Sequence, residues 1–499
     1  MTNVGGTSGA TPSPFASLRI IIPLIVAVAV ATRIAVWGNP VAHPDDQFYL
    51  FAGEQMLQGH WPYVDVWDRK PLGLFLIYAG IAALGGGIVM LNLVATAFAA
   101  ATALVVRQVG LRFAGPTGAT LGALAYLVVI PLIGGQTGQS PLFYNLLIAL
   151  AAWLLIDAAG AERTATIVKH AMAAMLLCGL SMTVKQVAFV EGIFFGLAFL
   201  WLLWRRGLSL ARLVVTGAAM VALALLPTAL TLAGYALAGP AALDAYVQAS
   251  FVSIFEKGGW GIKAKLAGFG FFLLHVTPLL VMAIVGALDR RNQRGGDRRD
   301  ALLIGWIIAA MLGYASVPHF FDHYALPLIA PLCISAATFF DRASGKLWFA
   351  ALVVTCLILG PSLRFAENRR AMTDYARLEG VVNSARHGGC IYLADGPTRL
   401  YSTTGACRLT RYAFPDHLNL YTEAGAVGVD TRIELARVLA ARPAVVLTQD
   451  SERQKHNPVT DRILHPWLQA HYRQVYRASD DSMPTLQGVR VWQRRDLAR

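Results

Sequence analysis

Long apolar runs, broken by short polar loops, set the pattern of the chain. A helix needs about 20 mostly apolar residues to cross hydrocarbon. Runs of that kind lie at 18–37, 88–106, 117–135, 141–157, 170–184, 187–204, 209–235, 265–289, 301–317, 324–340 and 346–362. Segment 170–184 is short for a full crossing and is the weakest member of the set. The run 71–85, PLGLFLIYAGIAALG, opens with Pro71 and runs into three glycines, and its 15 residues suit a helix lying in the interface. Two polar stretches carry helical periodicity. In residues 46–58, Tyr49, Ala52 and Met56 fall on one face and Gln47, Glu54 and Gln58 on another, which predicts an amphipathic surface helix. Residues 244–258, DAYVQASFVSIFEKG, predict a second. Beyond about residue 365 the pattern changes. GGCIYLADG reads as strand then turn, ELARVLAARPAVVLTQD as helix then strand, and the region ends in a strand.

Composition agrees with that pattern. The 499 residues are 56% hydrophobic and 14% charged, too few charges to cover a soluble surface, so the chain is a polytopic α-helical membrane protein. The net charge of +13 does not point to nucleic acid, because basic residues are scattered through short loops without interleaved aromatics. Their placement fixes an orientation. If 71–85 does not cross, one set of loops collects Arg19, Arg107, Arg112, Arg163, Lys169, Arg205, Arg206, Arg212, the cluster from Arg290 to Arg299, Arg342 and Lys346. The opposite loops hold Arg69, Lys70, Lys185, Lys257, Lys263 and Lys265. The positive-inside bias then gives 11 spans, with the N-terminus in the cytoplasm of a bacterial inner membrane and the C-terminus in the periplasm. Three units are expected: a disordered cytoplasmic tail over 1–17, a membrane domain over 18–364, and a periplasmic small α/β domain over 365–499. The first run lacks a small-residue cleavage site and reads as a retained anchor. Cys178, Cys333 and Cys356 lie in apolar runs, which leaves Cys390 and Cys407 as the pair available for a disulfide.

Chemistry concentrates on the outer side. HPDDQFYLFAGEQMLQGHWPYVDVWDRKP, residues 43–71, carries His43, Asp45, Asp46, Asp68, Arg69 and Lys70. Asp45 and Asp46 suit a helix first turn, and equally a general base or the ligands of a divalent cation, the one cofactor these residues could take. Lys70 suits an interfacial snorkel or a phosphate contact. Lys185 interrupts apolar sequence, where an uncompensated charge is costly and a partner or anionic ligand is expected. Arg33, one turn from the outer end of the first run, is explained by snorkelling. SVPHFFDHYALPLIAP groups His319, Asp322, His323 and Tyr324 at the entry to a span, without the spacing of a zinc site.

These residues carry a resemblance. HPDDQFYLFAGEQMLQG with YVDVWDRKPLGLFLIYAG resembles the first outer loop of the GT-C glycosyltransferases that use lipid-linked sugars: protein O-mannosyltransferases, lipid A aminoarabinose transferases and rhizobial galacturonosyltransferase-like proteins. GLSMTVKQVAFVEGIFFGLAFLWLL and HFFDHYALPLIAPL agree in order, so the likeness runs to about residue 340. It implies a GT-C fold with interfacial helices in the first outer loop. It places Asp45 as catalytic base with Asp46 beside it, and Lys70 near the donor phosphate, where Lys185 or His323 would assist. The implied partners are a polyprenyl-phosphate sugar donor, a glycan, lipid or protein acceptor, and the bilayer. One departure is visible: where the aminoarabinose branch has an acidic residue before a proline, this chain has Ser140 before Pro141. Two rival readings remain, a flippase moving polyprenyl-linked sugar without chemistry and an idle scaffold. Convergence of Asp45, Lys70 and His323 on one outward-facing cavity would favour the enzyme, and a central polar path reachable from both faces the flippase.

Overall fold

The computed structural model describes residues 17–259, 261–317, 320–450 and 456–497. The expected tail, apart from Ser17, and the candidate His319 lie outside the described residues.

The first helix, α1 (Leu18–Ala31), is followed by α2 (Pro44–Leu57) and α3 (Leu72–Ala83). At 1.5 Å per residue the 12 residues of α3 reach about 18 Å, short of a bilayer core of roughly 30 Å. Then come α4 (Gly87–Gly110), α5 (Pro116–Val129), α6 (Ser140–Ala158), α7 (Thr164–Val184), α8 (Phe189–Arg205) and α9 (Leu210–Ala238). The short α10 (Pro240–Val247) and α11 (Ser253–Glu256) precede α12 (Ile262–Arg294), α13 (Arg298–Ala315), α14 (Leu326–Phe340), α15 (Ala343–Leu359) and α16 (Phe365–Ala385).

Among the described residues, eight helices are long and apolar enough to cross a membrane: α4 to α9, α12 and α14, with their short extensions. Helices stand at the other three expected places too. Two are shorter, α1 with 14 residues and α15 with 17, and α13 opens on Arg298, Arg299 and Asp300. Segment 170–184 is longer than its apolar run: α7 has 21 residues, because Lys169 and His170 interrupt the hydropathy but not the helix. Helix α14 sits at the centre, every residue from Leu326 to Phe340 buried, with α5, α12 and α13 packed around it. Helix α9 leaves Leu210, Val214, Leu230 and Leu237 exposed, a surface suited to lipid.

Both expected surface helices differ from their patterns. Gln47, placed on the polar face of α2, is 1% exposed, and Phe48, Leu50 and Phe51 are buried as well. The wet side of α2 is covered by the C-terminal region, through Phe48 against Phe414 at 5.2 Å and Phe51 against Tyr401 at 5.4 Å. A sequence period cannot register a cover supplied 350 residues later. Segment 244–258 is split by a π turn at Gln248–Val252 into α10 and α11.

After α16 come β1 (Ile391–Leu393), β2 (Val445–Gln449), β3 (Tyr472–Arg477) and β4 (Val489–Arg494), in sheet order β1-β2-β4-β3. Strands β1 and β2 are parallel, Ile391 opposite Val445, and the other pairs are antiparallel, Val446 opposite Trp492. Parallel neighbours need a long crossover, which here contains the Thr431–Ala440 helix. The Pro458–His471 helix lies between β2 and β3, capped by Asn457 and opened by Pro458. Cys390 and Cys407 are joined by a disulfide.

Candidate active site

Helix α2 opens on Pro44, whose fixed φ and missing N–H suit the first helical position. His43 caps it: Nδ1 accepts from the Asp45 backbone N–H at 3.2 Å and lies 2.7 Å from Gln139 Nε2. An accepting Nδ1 leaves the ring proton on Nε2. Asp45 and Asp46 then occupy the first turn, where the helix dipole favours negative charge.

Successive residues on a helix point about 100° apart, and this divides the two carboxylates. Asp46 turns inward. Its oxygens accept from Tyr78 Oη at 3.3 Å, Gly138 N at 3.2 Å and Gln139 Nε2 at 3.4 Å. Burial raises its pKa above the usual aspartate value, against the pull of His43 and Thr137. Asp45 turns toward Lys70 and the His43 and His323 rings and stays half-buried. Burial pushes its pKa up, but His43, Lys70 and His323 together hold it below the ordinary value. Neighbouring carboxyls whose pKa values are driven apart are suited to different tasks. Asp46 fastens α2 to α3 and to the loop before α6; Asp45 is left ionised and available.

Close backbone approaches hold this arrangement. A Cβ at Gly53 in α2 would lie 2.5 Å from the Tyr78 carbonyl carbon in α3, and one at Gly73 in α3 would lie 2.4 Å from Thr183 Oγ1 in α7. Arg33 does not snorkel. It is 1% exposed and donates to the Gly135 carbonyl at 3.1 Å, fixing the same loop that Asp46 grips.

Lys70 follows α2 in a turn set by Asp68, whose Oδ1 accepts the Lys70 N–H at 2.7 Å. Burial opposes the Lys70 charge, and Tyr324, Asp45 and Asp68 more than offset it, so its pKa lies above the usual lysine value. Lys185 stands in the break between α7 and α8, 7% exposed, its Nζ 3.5 Å from the centre of the Tyr324 ring. It lies within electrostatic range of Lys70 and Asp45. His323, at the entry to α14, meets His43 edge-on at 5.8 Å and Tyr324 at 4.5 Å, and Asp322 Oδ1 lies 3.5 Å from its Nδ1. Segments far apart in sequence therefore bring His43, Asp45, Lys70, Lys185, His323 and Tyr324 together at one end of the helices. Burial, with the Lys70 charge beside it, pushes the Lys185 pKa well below the usual lysine value, so Lys70 is the standing cation and Lys185 a group that an incoming anion would help to protonate.

Asp68 and Arg69 have a different setting. Asp68 Oδ2 lies 3.4 Å from His417 Nε2, and Arg69 forms a fork with Glu423, one arm at 3.0 Å. Lys257 reaches the same Glu423 oxygen at 2.7 Å. Both residues hold the C-terminal region on the loop after α2. Gln139, Thr137, Tyr78, His417 and Glu423 escaped the sequence reading. GGQTGQS, residues 134–140, carried a turn signal that marks the loop, but nothing local marks the others. Among the described residues no group of three metal-ligating side chains is assembled.

Known folds share this architecture. The chain is similar to the structure of ArnT from Cupriavidus metallidurans bound to undecaprenyl phosphate, with a TM-score of 0.62 and 15% identity over 96% of this chain and 99% of that one. Its apo form gives a TM-score of 0.59 at 15% identity, over 94% and 97% of the two chains. The oligosaccharyltransferase from Archaeoglobus fulgidus, also in its apo form, gives 0.52 at 11% identity, over 92% and 80%. No family model and no curated protein matches the sequence. The chain has the fold of these transferases, the GT-C fold that its sequence resemblance implies.

Proposed function

We propose that the protein is an inverting glycosyltransferase that moves a sugar from a polyprenyl-phosphate donor to an acceptor hydroxyl. The observation that carries this reading is the half-buried Asp45 carboxylate, set among Lys70, Lys185 and His323 in a fold shared with a protein solved with undecaprenyl phosphate. Asp45 takes the proton of the acceptor hydroxyl, whose oxygen attacks the anomeric carbon from the side opposite the phosphate. The bond from that carbon to the phosphate oxygen breaks, and the electron pair leaves with the polyprenyl phosphate. Lys70 and Lys185, with His323 beside them, stabilise the developing charge. A single displacement inverts the anomeric centre.

The proposed setting is a bacterial inner membrane crossed 11 times, with residues 365–499 and the Asp45 cluster on the periplasmic side, a reading that the distribution of loop cations supports. Ser140 begins α6 and is buried, so no second carboxylate assists from that position.

The test uses purified protein in lipid nanodiscs, a panel of polyprenyl-phosphate sugars and envelope acceptors, with free polyprenyl phosphate followed by mass spectrometry. Release should depend on one sugar and fall on the order of 10²- to 10⁴-fold in Asp45→Asn, the range of a lost general base. A wild-type rate in that variant removes Asp45 as the base. Intact donor that crosses the bilayer favours the flippase.

A further inference from the structure

The C-terminal sheet bears a polar cavity that the chemistry at Asp45 does not use. Its volume is about 610 Å³, inside the roughly 300–1,000 Å³ usual for small-ligand sites. It lies where the ends of β2 and β4 meet the Pro458–His471 helix, and Trp492, Thr448, Asp450, Gln487, Arg490 and His456 are among its walls. Two smaller hollows continue it. Asp395 lines all three, Asp416 lines both of the smaller ones, and the 200 Å³ member ends on Pro44 and Gln47. Those two residues flank Asp45 and Asp46 in the first turn of α2. The large hollow and the 200 Å³ one share Asp395, Gln449 and Pro484 as walls, and together they make a crevice that reaches from the sheet to the shoulder of the proposed active site.

Its lining selects a class of ligand. Among the described residues, the charges on the wall are already matched: Asp450 pairs with Arg490, Asp480 with Arg477 at 2.9 Å, and His456 stands 3.6 Å from Asp395 and 3.8 Å from Asp461. Burial pushes Asp416 up to about 8, with Asp395, Glu423 and Asp45 adding to it, so at neutral pH it keeps its proton and can donate a hydrogen bond. An ionic ligand would have to break existing pairs. A polyhydroxylated one would not: amides, carboxyls and guanidinium groups each take part in further hydrogen bonds with vicinal hydroxyls. Trp492 completes the set, a half-exposed aromatic surface for the C–H face of a sugar ring, held by its Nε1 donating to Thr448 Oγ1 at 2.9 Å.

We infer that this crevice is the acceptor site, that the acceptor is a neutral saccharide chain, and that the crevice leads one of its hydroxyls to Asp45. The inference rests on the transferase reading above.

The test reads binding and transfer separately, on full-length protein in nanodiscs. The probe is a size-fractionated pool of oligosaccharides released from bacterial envelopes by mild acid, divided into neutral and acidic fragments, with retained species identified by mass spectrometry. Neutral fragments should be retained by the wild type and at least tenfold less by Trp492→Ala. Gln487→Ala, which spares the backbone carbonyl that accepts from Gln449 Nε2 at 2.8 Å, should lower retention about threefold in a protein that stays folded. Retention confined to acidic fragments, equal retention by both variants, or none at all overturns the inference. Polyprenyl phosphate release on the same preparations reports on the transferase reading alone. Retention without Asp45-dependent release leaves a saccharide site with no transfer, whereas release without retention removes only the acceptor assignment.

Discussion

Glu423 joins three parts of the chain, and removing its charge should unfasten them. Its carboxylate is 2% exposed, holds Arg69 from the loop after α2, and meets Lys257 from the segment after α11. Burial alone would raise its pKa; the two cations bring it from 4.5 to about 2. At about 1.4 kcal/mol for each pKa unit, that fall corresponds to roughly 3 kcal/mol. Because the folded value is the lower one, the contribution is complete above pH 4.5 and disappears as the pH falls through about 2. Glu423→Gln keeps the shape and leaves two cations facing a neutral amide. Breaking a buried pair costs about 3–5 kcal/mol, and the partly exposed Lys257 sets the lower end here. Two backbone bonds report on the seam: Trp67 N–H to the Arg411 carbonyl at 2.9 Å and Gly258 N–H to the Thr422 carbonyl at 2.8 Å. If the seam opens as a unit, about 3 kcal/mol becomes roughly a 100-fold loss of hydrogen-exchange protection at both amides. Unchanged protection at Trp67 and Gly258 in Glu423→Gln would refute the reasoning. A cycle with Arg69→Met should return a coupling of at least about 1 kcal/mol.

Asp46→Asn should be milder than Asp45→Asn, since one oxygen still accepts while the new amide faces donors; about 1–3 kcal/mol of stability and a partial loss of rate are expected in thermal-shift and turnover assays. Gly53→Ala drives a methyl into the α3 backbone and should abolish transfer or folding, read by activity and by gel filtration in detergent. Reducing the Cys390–Cys407 bridge, which spans 17 residues, should lower the stability of the sheet region by about 3 kcal/mol, seen as a downward shift of its melting transition. The neighbouring His43, Lys70 and His323 side chains hold Asp45 below the ordinary aspartate value, so the acid limb of kcat against pH should fall below the ordinary aspartate range, and a limb near neutrality would argue against Asp45 as the base.

Much of the membrane architecture was legible, because a span is written in consecutive residues. The apolar runs located helices at all 11 expected places, eight of them, among the described residues, long and apolar enough to cross a membrane, and Pro71 with the glycines at 85–87 marked a short α3. The site was legible in part. HPDD exposed the acidic pair, yet sequence treats Asp45 and Asp46 almost alike, and only the rotation of α2 against Tyr78 and Gly138 separates them. Arg33 shows the opposite failure: a general rule about interfacial arginine was available, but the Gly135 carbonyl that occupies it belongs to another loop. Asp68 and Arg69 were legible as candidate residues, but their partners, His417 and Glu423, have no local signature.

The Arg69–Glu423 pair also bears on how the protein is made. The two residues are 354 positions apart, and Glu54 waits similarly for Arg399 at a separation of 345. At roughly 5–20 residues per second of synthesis, α2 and the loop after it are ready some 20 to 70 s before the side chains that close them. During that interval α2 presents Phe48 and Phe51 without Phe414 and Tyr401 to cover them. Nascent chains halted before residue 399 would therefore carry an early loop that is inserted but unfinished, open to chaperones and proteases until the last part of the message is read.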